Sequence, residues 1–419
     1  MFKIFSSFDK TGLKDSAAVL SFLVLALIFA VSCQKMLPSA PPDDQLLDGP
    51  VEGLTSEQQA QFLAGDIAFN DAVFTVETGL GPFFVATSCG SCHAGDGKGH
   101  PFTTLTRFGQ VDSVGNTYMR NGGPQLQNRA IPGHNPEQLP AGVPHAKFTP
   151  PSVTGLGFLA ALTDAQILEN ADPDDLDADG ISGVPNYVSP PDYFEPQSVH
   201  ENFGEKYIGR FGKKAGAVDL LHQTVNAYRE DIGITSDFAM HEPSIYTSTN
   251  PTPDNIPDPE VASSTVRNVV FYLRTLKAPI PRNQDDADVI AGRQHFTNIK
   301  CGSCHIPQFI TPQSDIAALS IRAIYPYTDL LLHDMGPALD DGYTEGSAKT
   351  SEWRTPPLWG LGLAKNSQGG QYFLLHDGRA ASIADAIAFH GGEAERARAL
   401  YQQLSESDKQ QLIRFLEGL

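Results

Sequence analysis

The sequence has 419 residues, a length that predicts two or three domains at roughly 150 residues each. Hydrophobic residues make up 41% and charged residues 19%, which excludes an intrinsically disordered chain. The formal net charge of −20 argues against nucleic acid and anionic lipid headgroups as partners.

Residues 1–32 are typical of an export signal. Three lysines precede an apolar run from Ala17 to Val31, which is shorter than the roughly 20 residues of a membrane span. Cys33 follows, as in a bacterial lipoprotein signal, in which the cysteine is lipidated. Simple secretion and an uncleaved anchor remain alternatives. We expect a protein of the bacterial periplasm or cell envelope, held at the membrane by lipidated Cys33, with residues 33–56 as a proline-rich tether.

The other four cysteines lie in two copies of one pentapeptide. These copies are Cys89-Gly-Ser-Cys92-His93 and Cys301-Gly-Ser-Cys304-His305. C-x-x-C-H is the attachment motif of c-type haem. Two thiols one helical turn apart add to the two porphyrin vinyl groups, and the adjacent imidazole becomes an axial ligand of the iron. The sequence therefore predicts two covalently bound c-type haems, with His93 and His305 as proximal ligands.

Three other interpretations of the cysteines fit less well. A thioredoxin-like pair usually lies near a βαβ pattern, and none is evident. A zinc site of four thiolates would leave the histidine after each pair unexplained in both copies. Disulfides across two residues would be strained and would constrain little of the chain.

Similar sequences surround the two motifs. A Gly-x-x-x-Phe pattern precedes each of them, at Gly65 and at Gly292. A Thr-Pro-Pro string follows each of them at a similar distance, at Thr149 and at Thr355. This repetition predicts two copies of one haem-binding unit. We expect an N-terminal cytochrome c-like haem domain over 57–199, a helical bridge over 200–284 and a C-terminal cytochrome c-like haem domain over 285–419.

Hydrophobic periodicity predicts helices around these units. One apolar face consists of Val266, Val269, Val270, Leu273 and Leu276, and Pro279 ends that helix. A second face consists of Leu412, Phe415, Leu416 and Leu419, and the stretch from Ser407 to Gln410 fits a capping box at its start. The predicted fold class is mainly α, with two cytochrome c-like haem domains in tandem and long loops.

Several longer strings resemble a known family. From about Gly65 to the end, the chain resembles the bacterial di-haem oxidoreductases, also called thiol oxidoreductases, which are related to the di-haem cytochrome c peroxidases and the methylamine-utilisation di-haem enzyme. The strings are Gly79-Leu-Gly-Pro82, Phe211-Gly212, Tyr327-Thr-Asp-Leu-Leu-Leu-His-Asp-Met-Gly-Pro337, Trp353-Arg-Thr-Pro-Pro-Leu-Trp-Gly-Leu-Gly362 and His376-Asp-Gly-Arg379.

The resemblance implies a second axial ligand for the C-terminal haem. In the di-haem peroxidases the distal methionine follows a His-Asp-Gly loop, and His390 stands at the matching position after His376. We therefore predict that His390 is the second ligand of the His305 haem. The alternative is a polar residue that caps the preceding helix. A histidine in place of methionine would lower the reduction potential.

The N-terminal haem has no residue at the corresponding position. Met119, His100, His134 and His145 are candidate ligands, each of which is also an ordinary loop residue. We predict an open or weakly held sixth position on the His93 haem, where a small oxidant reacts. The distal glutamate motif of the peroxidases is not recognisable, so the catalytic acid or base is unknown.

Two further features have two interpretations each. Asp175, Asp177 and Asp179, followed by Gly180, repeat the oxygen spacing of a Ca²⁺ loop, but the twelfth position is Asn186 rather than glutamate. A solvated acidic turn explains the same residues. The two tryptophans, Trp353 and Trp359, flank the second Thr-Pro-Pro string and are either electron relays or core residues.

The sequence thus predicts an exported di-haem c-type oxidoreductase that transfers electrons between its haems and reduces a small oxidant, peroxide first. The expected electron source is a small redox donor protein or a quinol-linked donor. The alternative is a non-catalytic di-haem electron carrier or haem sensor. Oxidation of thiols is a third function, implied by the family label alone.

Overall fold

Helices carry most of the regular structure in the computed structural model, which describes residues 42–109, 125–243, 245, 254 and 256–419. The α-helices of these residues are α1 (Ser56–Asp66), α2 (Cys89–Cys92), α3 (Leu156–Ala160), α4 (Asp164–Leu168), α5 (Leu220–Asn226), α6 (Ser263–Thr275), α7 (Ala287–Asn298), α8 (Ala364–Ser367), α9 (Ile383–Ala388), α10 (Glu395–Gln403) and α11 (Glu406–Glu417). Residues Asp44–Leu419 form one compact unit. The predicted mainly α class is confirmed.

The strands of the described residues are short. They are β1 (Phe83–Phe84), β2 (Leu105–Phe108), β3 (Arg129–Ala130), β4 (His145–Phe148), β5 (Tyr187–Val188), β6 (Tyr207–Ile208), β7 (Phe309–Ile310), β8 (Ala323–Ile324), β9 (Leu332–Asp334) and β10 (Glu352–Arg354). They form antiparallel pairs, β1 with β3, β2 with β4, β5 with β6, β7 with β8 and β9 with β10. Such two-stranded pairs are marginally stable alone, so the helices and loops around them hold them in place.

Two pairs of packed helices share a close main-chain contact at a glycine. Helix α1 crosses α6, and helix α7 crosses α11. A Cβ built on Gly65 of α1 would overlap the carbonyl oxygen of Asn268 in α6. A Cβ built on Gly292 of α7 would overlap the carbonyl oxygen of Gln411 in α11. Each crossing therefore requires the missing side chain of glycine, which explains the glycine of the repeated Gly-x-x-x-Phe pattern.

The phenylalanine of that pattern packs against an aromatic ring of the partner helix. The centroids of Phe69 and Tyr272 are 5.5 Å apart, and those of Phe296 and Phe415 are also 5.5 Å apart. Helix α6 falls within the predicted bridge over 200–284, yet it packs on the helix that precedes the first C-x-x-C-H motif. Its apolar face is buried there through Val266, Val269 and Leu273.

Helix ends agree with the sequence prediction in one case and differ in the other. The predicted helix before Pro279 is confirmed, because α6 ends at Thr275 and Leu276 follows as its C-terminal cap. The predicted start of the last helix is wrong by two residues. The hydroxyl of Ser405, not that of Ser407, accepts a hydrogen bond from the Asp408 amide and caps α11.

The predicted tether has a structured end. The Val51 amide donates to the Thr275 carbonyl and the Lys277 amide donates to the Gly49 carbonyl. Leu54 is buried in the main core. This part of the predicted tether is therefore a component of the compact unit. The predicted export signal and Cys33 lie outside the described residues, and no helix within the described ranges combines the length and apolar character of a bilayer span.

The glycine crossing predicts a large effect of one methyl group. We expect Gly292→Ala to lower the free energy of unfolding by about 1–3 kcal/mol, because the added carbon must push α11 away. Gly302→Ala is the control, since a Cβ there would meet only a ring carbon of Phe296 at 3.8 Å. Denaturant unfolding of both variants measures the difference. Equal stability of the two variants would contradict the crossing geometry.

Candidate functional site

The two C-x-x-C-H motifs line a single cavity of about 620 Å³. Its lining includes Cys89, Cys92, His93, Cys301, Cys304 and His305. Sequence reasoning placed the two motifs in separate domains, and the structure brings them to one shared space. The backbone of each motif is a single helical turn, in which the histidine amide donates to the carbonyl of the first cysteine at 3.0 Å.

The four thiols are free, so neither motif is closed by a disulfide. The hydroxyl of Ser88 accepts a hydrogen bond from the Ser91 amide and starts the turn of the first motif. Removal from water raises the pKa of Cys89 to about 12 and that of Cys92 to about 11. The thiols are placed to react with a group held inside the cavity.

Both motif histidines are oriented in the same way. His93 Nδ1 lies 2.9 Å from the Pro151 carbonyl oxygen, and His305 Nδ1 lies 2.9 Å from the Tyr327 carbonyl oxygen. A carbonyl only accepts, so Nδ1 carries the proton and Nε2 keeps its lone pair. Removal from water lowers the pKa of both imidazoles to about 4, which keeps them neutral. A neutral ring fixed through Nδ1 is the usual form of a metal ligand.

His390 has the same arrangement at the end of α9. Its Nδ1 donates to the Ala386 carbonyl at 2.7 Å and its Nε2 has no hydrogen bond to any described residue. The ring lines the cavity, and a charge on His390 would lower the pKa of His305, so the two rings face the same space. The contact with Ala386 is a helix cap, as the alternative interpretation expects. That cap uses only one ring nitrogen and leaves the other for a ligand.

Three of the four candidate second ligands of the N-terminal haem lie in the described part of the chain, and these three do not line the cavity. Met119 lies outside the described residues. His100, His134 and His145 are described, and none of them lines the cavity. His100, for example, accepts a hydrogen bond from the Phe102 amide in a nearby loop.

Other histidine and methionine side chains do line the cavity. They are His333, His376 and Met335. Both nitrogens of His333 are in use, with Nε2 at 2.8 Å from Asp329 and Nδ1 at 2.6 Å from Glu393. Burial alone would lower the pKa of His333, but its hydrogen bonds, chiefly that with Asp329, raise it well above its ordinary value. In this arrangement both nitrogens of the His333 imidazolium donate to carboxylates, so neither offers a lone pair to a metal ion.

Trp353 is held on both faces of its ring. The His376 imidazole stacks on the indole of Trp353, with ring centroids 3.7 Å apart. The second contact is with Lys214, whose Nζ lies over the indole at 3.9 Å from its centroid. The indole N–H donates to the Leu339 carbonyl at 2.7 Å. Trp359 is also buried, and both tryptophans line the cavity. Their packing fits a core role, and their position fits a relay.

Charged residues that the sequence did not single out line the cavity near the first motif. Arg107 Nη1 lies 2.9 Å from Glu345 Oε1. Desolvation raises the pKa of Asp231 to about 6, and the charge of Asp231 raises the pKa of both Cys89 and Cys92. Arg107 lies on β2, Glu345 lies in a loop before β10, and Asp231 comes after α5. No local spacing links them, so sequence reasoning could not find them.

The acidic loop differs in detail from the Ca²⁺ prediction. Carboxylate oxygens of Asp172, Asp175 and Asp177 lie within 4.8 Å of one another, and Asp179 is not in that group. Each predicted ligand accepts a main-chain hydrogen bond, for example Asp175 from the Gly180 amide at 3.0 Å. Asp177 and Asp179 are exposed. This geometry is that of an acidic turn, and Ca²⁺ binding stays a prediction.

The chain matches the family described as "Di-haem oxidoreductase, putative peroxidase" over residues 145–419. It belongs to this family, which identifies haem as its cofactor. The matched range includes the second C-x-x-C-H motif; the first precedes it.

Two solved structures are similar to this chain at low identity. One is hydrazine synthase of Kuenenia stuttgartiensis pressurised with xenon, at 16% identity and a TM-score of 0.37. The other is a MauG-like protein associated with microbial copper homeostasis, at 14% identity and a TM-score of 0.39. Each comparison covers 92% of this chain and 94% of the other chain. No curated protein sequence matches the chain.

The contact between His333 and Glu393 predicts a pH-dependent stability. Hydrogen bonds and the charge of His333 outweigh desolvation and lower the pKa of Glu393 from 4.5 to about 2. A carboxylate with a depressed pKa stabilises the fold above its unfolded pKa and loses that contribution as the pH falls toward 2. We expect Glu393→Gln to cost about 3 kcal/mol at pH 7, and less at each step below pH 4.5.

Unfolding by denaturant between pH 7 and pH 2 measures this difference. Glu395→Gln is the matched control, because Glu395 is an exposed neighbour with 56% of its side chain accessible. A difference between wild type and Glu393→Gln that stays constant from pH 5 to pH 2 would show that Glu393 is not bound as described.

Proposed function

We propose that the chain is an exported c-type di-haem oxidoreductase that reduces a small oxidant of the peroxide class. The observation that carries the proposal is the shared cavity, in which two C-x-x-C-H motifs present four free thiols and two neutral imidazoles. When bound, the haem groups would supply one-electron chemistry and an iron site for the oxidant.

The residues of each motif have separate tasks in this proposal. The thiols of Cys89 and Cys92 hold one porphyrin, and those of Cys301 and Cys304 hold the other. His93 and His305 each offer Nε2 to an iron, while the Pro151 and Tyr327 carbonyls fix the direction of the rings. His390 offers the second ligand to the His305 haem. The helix pairs α1–α6 and α7–α11 would each enclose one haem unit.

Protons are the second requirement of the reaction. Reduction of hydrogen peroxide to two water molecules consumes two electrons and two protons. Near the first motif, Glu345 and Asp231 are carboxyl groups that can hold and release a proton. The Arg107 guanidinium, which binds both Glu230 and Glu345, adds a positive charge to the same part of the lining. This supply of charged groups supports the His93 haem as the site where the oxidant reacts.

The cellular setting follows from the same chemistry. The short apolar run before Cys33 supports export with lipid attachment, and covalent haem is retained where a dissociated cofactor would be lost. Electrons would come from a small redox protein or a quinol-linked donor.

Covalent attachment is the first test. The mature chain, produced in a host that matures cytochromes, should be coloured and should carry the mass of two haems. A double variant, Cys301→Ser with Cys304→Ser, should retain one. A colourless wild-type protein without a covalent adduct would refute the proposal.

The second ligand of the His305 haem has its own test. We expect His390→Ala to convert one haem from a low-spin to a high-spin spectrum, because the iron loses a strong-field nitrogen ligand. His145→Ala is the control, since His145 does not line the cavity. EPR and visible spectra of the oxidised proteins measure the change. An unaltered spectrum in His390→Ala would assign His390 to the helix cap alone.

The role of Glu345 separates an enzyme from an electron carrier. We expect Glu345→Gln to lower kcat/KM for hydrogen peroxide by roughly 100-fold, since the amide cannot transfer the proton. Glu406→Gln, with 83% of its side chain exposed, is the control. Steady-state turnover with a reduced donor measures both. A wild-type protein with two six-coordinate irons and no peroxide turnover would instead support the non-catalytic carrier.

A further inference from the structure

Three partly buried cationic side chains line the cavity without a carboxylate partner among the described residues. They are Lys98, Lys213 and Arg354, and no described carboxylate lies within 4.0 Å of any of them. Lys98 Nζ donates to the Leu375 carbonyl at 3.2 Å, and Arg354 Nε donates to the Gly212 carbonyl at 2.9 Å. Lys213 Nζ has no hydrogen bond to any described residue.

The charges of Lys98 and Arg354 both act on Lys213. Removal from water, followed by the charges of Lys98 and Arg354, lowers the pKa of Lys213 well below its ordinary value. The carboxylate whose charge opposes this lowering of the Lys213 pKa is Asp377, which is already bound to Arg379 at 2.6 Å. A cluster of like charges out of water is costly unless an anion joins it. The cavity therefore has a place for carboxylate groups that the chain itself does not provide.

The position of the cluster connects it to both motifs. Lys98 follows His93 closely in sequence, and the charge of Lys213 acts on the His93 ring. Arg354 precedes the second Thr-Pro-Pro string, and the charge of Asp329, which binds His333 beside Cys304, acts on Arg354. The Arg354 amide donates to the Lys213 carbonyl at 3.0 Å, so these two residues are fixed side by side.

We propose that Lys98, Lys213 and Arg354 form one carboxylate-binding site that holds propionate groups of both haems. This inference rests on the proposed function, because it takes two haems as given. Porphyrin propionates are carboxylates that each haem brings into the cavity, and charge-assisted hydrogen bonds to Lys and Arg are the strongest contacts available to them. The site would place the propionate edges of both haems around Lys213.

Redox titration of the holoprotein tests this site. We expect Lys213→Met to lower both midpoint potentials, because loss of a positive charge favours the oxidised, more positive iron. A tenfold change in the oxidation equilibrium corresponds to about 59 mV for a one-electron couple. Lys147→Met is the control, since Lys147 is exposed on β4 and does not line the cavity. Lys213→Arg should stay close to wild type, because the charge is kept.

Lys98→Met provides a second route to the same answer if Lys213→Met fails to fold. If the midpoint potentials of Lys213→Met, or of Lys98→Met in its place, equal those of Lys147→Met in protein that carries both haems, the site is overturned. A titration with added acetate tests for a soluble carboxylate as the occupant. Potentials that move with acetate in wild type but not in Lys213→Met would also overturn the propionate assignment. A wild-type chain without covalent haem would refute the proposed function, and with it this inference.

Discussion

Both candidate haem sites depend on one interaction, the hydrogen bond from an imidazole Nδ1 to a main-chain carbonyl oxygen. At His93 the acceptor is Pro151, and at His305 it is Tyr327. Without such an acceptor, either ring nitrogen could carry the proton and the ring could rotate. With it, the proton stays on Nδ1 and Nε2 points away from the bond. The cavity favours the neutral ring as well, so tautomer, charge and direction are fixed before any metal binds.

The helix crossings give these hydrogen bonds their precision. Each motif follows a helix, α1 or α7, whose distance from its partner is set by main chain packed against glycine. A contact between backbones adjusts less than one between flexible side chains, so the start of the second motif, which comes directly after α7, has little freedom. The aromatic contacts of Phe69 and Phe296, one turn after the glycines, fix the rotation of the same helices.

The sequence predicted the parts of this protein that are encoded locally. The C-x-x-C-H turns, the apolar face of α6 and the Gly-x-x-x-Phe repeat each depend on neighbours within a few residues. The α11 cap was wrong by two residues, because Ser405 and Ser407 offer the same hydroxyl and only the backbone angle selects one. The partner of α6 and the convergence of Arg107, Glu345 and Asp231 are set by tertiary packing, which no local pattern encodes.

The two ends of the cavity differ in the protons they can exchange, and under the proposed function this separates their tasks. Near the second motif the proton of His333 is held between Asp329 and Glu393, so that imidazolium is a fixed charge. Near the first motif, burial raises the pKa of Asp231 to about 6, so this carboxyl group can exchange its proton near neutral pH. Reduction of the oxidant consumes protons, so the His93 end of the cavity is the better place for this reaction. The His305 end needs only to transfer electrons.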